Sequence, residues 1–151
     1  MILPISLTIA GACALLHIWL SVRVSQMRRL HKVSVGDGDN HAVRSRMRAH
    51  GNFAENVPIF LILLALVELG EGSEFCLWIV AILFVVARVL HAFGMDRTGA
   101  NALRLIGIVV SWLVLLGLGA YAIVLSYGYQ GAQGRQMQLV PARAEAPRNG
   151  G

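Results

Sequence analysis

Arg48, Asn52 and Glu55 recur at offsets of zero, four and seven in a stretch whose other side chains are mostly apolar. That spacing places all three on one face of a helix, with His50 and Asn56 on the flanking faces. A second pair, Arg88 and His91, is three residues apart and shares a helical face too. A further arginine, Arg104, stands just before the last long apolar run. Charged side chains within apolar segments are costly and usually face a bundle interior or a cavity. Two roles are open to such a set: recognition of a polar ligand, or ion pairing that fixes helix register.

The elements that must position these residues follow from composition. Of 151 residues, 56% are hydrophobic and only 14% charged, and the mean hydropathy is +0.64. Soluble domains carry about 25% charged residues, so most soluble enzyme classes are excluded. A membrane helix uses about 20 residues, so the apolar inventory furnishes about four spans. They are read at about 5–24, 50–69, 75–94 and 105–127, which makes 1–127 a four-span, all-α membrane domain. Residues 128–151 read as a polar, flexible tail. No lysine or arginine precedes the first run, so it lacks a signal peptide's charged start and is read as a retained span.

The net charge of +5 raises a nucleic-acid question. Basic membrane loops explain it more simply, and no nucleic-acid partner is expected. Connection 25–47 is basic, connection 96–104 carries Arg97 and Arg104, and connection 71–74 is acidic. The positive-inside rule puts the two basic connections in the cytoplasm and both termini outside. The GDGDN run at 36–40 is a turn signal that lacks the later ligands of a calcium loop. Cys13 and Cys76 lie far apart in apolar runs and read as buried hydrophobes. His17, His31 and His41 have no constellation around them, and no metal site is expected.

Depth along the helices suggests a pairing. At about 1.5 Å per residue, Glu55 lies roughly 10 Å inward of Arg48, and Arg88 roughly 13 Å inward of Arg97. Similar depths predict that Glu55 and Arg88 lie close, within one subunit or across an interface, each reducing the other's desolvation cost. Pro58 has no N–H and clashes with the Ala54 carbonyl, so a kink is expected just below Glu55.

The run RMRAHGNFAENVPIF at 46–60, with FVVARVLHAFG at 84–94 and Arg104, resembles the MAPEG family, the membrane-associated proteins of eicosanoid and glutathione metabolism. The likeness is to bacterial-type members similar to microsomal glutathione transferases and covers about residues 1–127. It implies a homotrimer of four-helix subunits in the bacterial inner membrane. It further implies glutathione as co-substrate, bound between subunits, and transfer to, or reduction of, lipophilic electrophiles from the bilayer. On this likeness Asn52 and Glu55 hold the peptide parts of glutathione, with Glu55 on its ammonium group. Arg48 and His50 support that site, Arg88 and His91 line the same pocket, and Arg104 lies nearest the sulfur as the catalytic residue.

Three positions depart from the best-known enzymes of the family. Gly51 replaces an arginine after the histidine, Met95 a tyrosine seven residues after Arg88, and Leu105 a serine beside Arg104. Two readings therefore stay open: a glutathione transferase or peroxidase, and a non-catalytic ligand-binding or scaffold protein of the same fold. A small transporter is a third, disfavoured by the absence of an internal repeat.

Overall fold

The computed structural model describes residues 2–70, 74–97, 99 and 101–139, the last eight of these as backbone alone. Four helices follow one another: α1 (Pro4–Leu30), α2 (His41–Leu69), α3 (Glu74–Met95) and α4 (Ala102–Leu139). Each is long and apolar enough to cross a membrane, and together they form an all-α, four-helix membrane bundle. Three of them extend well beyond the expected spans: α1 runs past residue 24 to Leu30, α2 starts ahead of residue 50, and α4 continues past residue 127 to Leu139. Residues 140–151 and Glu71 of the acidic connection lie outside the described residues.

Local chemistry sets the helix ends. Pro4 begins α1, where its missing N–H is no loss. Leu3 offers no side-chain cap there, and Glu68 near the end of α2 supplies one. Its carboxylate accepts the N–H groups of Ile5 (2.9 Å) and Ser6 (2.8 Å) and the Ser6 hydroxyl (2.6 Å). One carboxylate thus satisfies orphan donors of α1 and ties it to α2. Asn40 caps α2, its Oδ1 accepting the N–H groups of Ala42 (2.9 Å) and Val43 (3.1 Å). The helix runs uninterrupted through Pro58, so the lost N–H removes a bond without ending the element.

The core is built where the stripes of α1, α2 and α3 meet. Phe60 and Phe84, both fully buried, stack with centroids 3.7 Å apart, and Ile9, Leu20, Leu64, Val67 and Ala81 fill around them. Many large apolar side chains point outward instead, among them Ile18, Ile62, Leu113, Leu116 and Val124, as a lipid-facing surface requires. Cys13 is buried as expected, but Cys76 is exposed, because the start of α3 turns it outward.

Backbone proximity between α3 and α4 depends on two glycines. A Cβ on Gly107 would lie 2.7 Å from the Ala87 carbonyl oxygen and from the His91 N and Cβ atoms. A Cβ on Gly94 would collide with the backbone of Arg104. The close approach at Gly107 generates a stability prediction: Gly107→Val costs about 1–3 kcal/mol by overpacking. Gly117→Ala, whose Cβ would meet nothing within 4 Å, is neutral or stabilising. Thermal unfolding in detergent checks both, and equal midpoints for the two variants would contradict the packing account.

Candidate functional site

A cavity of about 690 Å³ opens at the end of the bundle that carries the basic connections, within the size range of small-molecule sites, about 300–1,000 Å³. Arg48, Asn52 and Glu55 line it from α2, His91 and Met95 from α3, and Arg104 and Ile108 from α4, with Asp37 and Arg44 at its edge. Five of the seven residues expected at a site are therefore brought together. Arg88 lies behind the wall and His50 lies elsewhere.

Arg88 supports the cavity from beneath. Its side chain is buried at 3% exposure. Its Nη1 donates to Asn52 Oδ1 at 2.6 Å and its Nη2 to the Gly107 carbonyl at 2.6 Å. The Ser111 hydroxyl donates to that same carbonyl at 2.7 Å. Three helices are thereby joined through one guanidinium. This corrects the expected Glu55–Arg88 pair within the subunit, because Asn52, three residues nearer the helix start, occupies the guanidinium instead. Glu55 is exposed to the cavity. Among the described residues the ion pairs are Arg23–Asp96, Arg46–Asp96 and Arg44 with Asp37 and Asp39. The side chains of Arg48, Glu55 and Arg104 join none of these.

Fixing Asn52 Oδ1 on Arg88 also orients the amide, so its NH₂ group is left as the donor for the cavity. Arg104 is placed by Asn101, whose Oδ1 caps α4 by accepting the Arg104 N–H at 3.0 Å. The Asn101 amide also donates to the Gly94 carbonyl at 2.8 Å. An asparagine three residues ahead of Arg104, at the start of an apolar run, is the N-cap signal that would have revealed this. Arg104 borders two further spaces: a polar recess of about 250 Å³ with Arg44, Arg48 and Arg97, and a recess of about 560 Å³ formed with Asn101, Ala102, Leu105 and Ile108.

His50 faces α1, with its Nε2 3.4 Å from the Nε2 of His17. His50, expected on a flanking face of α2 in support of the site, does not line the cavity, and the expectation that His17 stands alone is corrected: two residues past Arg48, the helix has turned His50 toward its neighbour. Sequence reasoning also missed Arg23, at the end of the first span. It is buried at 8% exposure, pairs with Asp96, and lies over the Trp19 ring at 4.4 Å. Arg46 meets the other oxygen of Asp96 at 2.9 Å. One carboxylate at the end of α3 thus anchors α1 and α2 beside the cavity.

The profile of the MAPEG family matches residues 6–124. The chain belongs to the MAPEG family. The relatives it matches include the inner membrane protein YecN of Escherichia coli K12, 29% identical over 112 residues. That match covers 74% of this chain and 85% of YecN. The YecN of Escherichia coli O6:H1 matches to the same extent, 29% over 112 residues. The MAPEG match reaches into all four helices and covers every residue that lines the cavity.

Two predictions follow from this geometry. Asn52→Ala strands the buried Arg88 Nη1 and costs about 1–3 kcal/mol, whereas Glu55→Gln, at an exposed carboxylate that joins no ion pair among the described residues, stays within about 0.5 kcal/mol. Denaturant unfolding in detergent reads both, and an equal loss in Glu55→Gln would restore the discarded ion pair. The second concerns the connection before α2, where Arg44 Nε binds Asp37 Oδ2 at 2.5 Å. That guanidinium holds the Asp37 carboxyl below its ordinary value of 3.8. A depressed carboxylate contributes above its unfolded value and stops contributing as pH falls through the folded one. Amide exchange of residues 31–40, corrected for intrinsic rates, therefore approaches that of Asp37→Asn well below pH 3.8. It differs from the variant at neutral pH.

Proposed function

We propose that this protein binds glutathione in the cavity lined by α2, α3 and α4 and uses it as co-substrate on lipophilic electrophiles. The observation that carries the reading is the position of Arg104. It borders a polar cavity on one side and, with Leu105 and Ile108, a largely apolar recess on the other. A polar thiol and a lipid-soluble electrophile can therefore both be brought to Arg104.

The residues fit the co-substrate by charge. Glutathione carries two carboxylates, one ammonium group and a thiol. Glu55 is the acidic partner for the ammonium, Arg48 and the Asn52 amide donate to carboxylate or peptide oxygens, and Arg104 remains for the sulfur. The recess with Arg44, Arg48, Arg97 and Arg104 makes the entrance positive, which raises the local concentration of an anion. The chemistry glutathione supplies is that of its thiolate, the nucleophilic form. Arg104 stabilises developing negative charge at the sulfur and lowers the thiol's affinity for its proton. Arg88 is a positioning residue that keeps Asn52 and α4 in place.

A second reading rests on the cavity walls. Gly51 and Met95 line them where the arginine and tyrosine of the best-known enzymes stand, and exposed Leu105 offers no hydroxyl beside Arg104. A protein that binds glutathione without activating it would have this wall. We further propose a homotrimer in the bacterial inner membrane, with the basic connections cytoplasmic and the termini outside. The YecN relatives are inner membrane proteins, which supports that location.

Calorimetric titration with glutathione is expected to give saturable binding that Glu55→Ala weakens at least tenfold, or about 1.4 kcal/mol. Equal affinity in both proteins would remove the site. Thiolate absorbance at neutral pH, present in wild type and lost in Arg104→Leu, together with turnover of lipophilic electrophiles, supports the enzyme. Binding with neither signal supports the second reading.

A further inference from the structure

His17 on α1 and His50 on α2 face one another away from the cavity just described. Their Nε2 atoms are 3.4 Å apart, their rings are tilted by 47°, and their centroids are 4.5 Å apart. Among the described residues neither ring has another hydrogen-bonding partner; Phe53 packs against His17 at 6.0 Å and forms an apolar wall. We propose that His17 and His50 are a two-histidine site for a borderline divalent transition metal of the zinc, cobalt or nickel class.

The distance carries the argument. Bonds of about 2.0–2.1 Å from each nitrogen to a tetrahedral ion put the two nitrogens about 3.3–3.4 Å apart. The Nε2 atoms already have that separation. Neutral imidazole nitrogen is the ligand that this class of ion prefers over oxygen donors. His17 is exposed and His50 half-buried, so an ion has an approach from outside the bundle. His50 lies only two residues past Arg48, at the polar end of α2. No third histidine, cysteine, aspartate or glutamate completes a larger cluster among the described residues. The remaining positions of the ion are therefore open to water or a small anion. Because the two ligands sit on different helices, the ion would also cross-link α1 to α2.

The test uses full-length, untagged protein in detergent, titrated with Co²⁺ while its visible ligand-field bands are recorded. One Co²⁺ per chain, displaced by Zn²⁺, is expected. His17→Gln and His50→Gln should each raise the dissociation constant by at least about tenfold. His31→Gln and His41→Gln, which keep the pair, should leave it unchanged. His17→Cys retains a metal ligand, so it keeps binding and adds a sulfur-to-cobalt charge-transfer band; this result does not depend on how well the glutamine variants fold. Absence of saturable binding below about 1 mM, or equal affinity in wild type and both glutamine variants, would overturn the proposal. So would loss of binding on His41→Gln.

Discussion

A guanidinium buried at 3% exposure in an apolar bundle has to be met by oxygen acceptors, and Arg88 is such a group. Leaving a charge of this kind unpaired in hydrocarbon is among the largest penalties a membrane helix can carry. Asn52 and the Gly107 carbonyl meet it from two different helices. For the carbonyl to come within reach, α4 must lie against α3 without a side chain between them, which is the requirement that Gly107 fulfils. The same approach brings Gly94 to the backbone of Arg104 and lets Asn101 bridge the two helices. Satisfying one charge therefore places Asn52, His91 and Arg104 around a common space.

The remaining charges divide between structure and site. Arg23 and Arg46 are both taken by Asp96, and Arg44 by Asp37 and Asp39. These pairs hold the ends of α1, α2 and α3 together beside the cavity. Arg48, Glu55 and Arg104 line the cavity with no such partner among the described residues. That contrast is the physical basis for reading them as ligand contacts. Charges committed to each other fix the frame, and charges left facing a polar cavity are available to a zwitterion. The apolar groove of about 470 Å³ along α3 and α4 is a poorer candidate for the chemistry. Its lining offers only Cys76 and Tyr121 as chemically active groups, and Cys76 is roughly 20 Å along the helix from His91.

Much of this was legible in the residues themselves. Four spans follow from apolar runs, and the shared face of Arg48, Asn52 and Glu55 follows from helical periodicity. Both depend only on local geometry. Depth alone could not choose the partner of Arg88, because Asn52 and Glu55 differ by less than one turn. The decision rests on helix rotation and on a backbone acceptor at Gly107, which leaves no mark in side-chain chemistry. The His17–His50 approach was hidden for a similar reason, since it requires the azimuth of α1 relative to α2. Arg23 was hidden by its position at a span end, where an arginine resembles an interfacial anchor until Asp96 is seen beside it.

Hydrogen–deuterium exchange in detergent, with and without saturating glutathione, tests the central claim that this cavity is the ligand site. Added protection is predicted in segments 44–55, 91–95 and 101–108, which line the cavity, and not in segment 76–83 of the apolar groove. Protection confined to the groove, or no change at any segment, would contradict it.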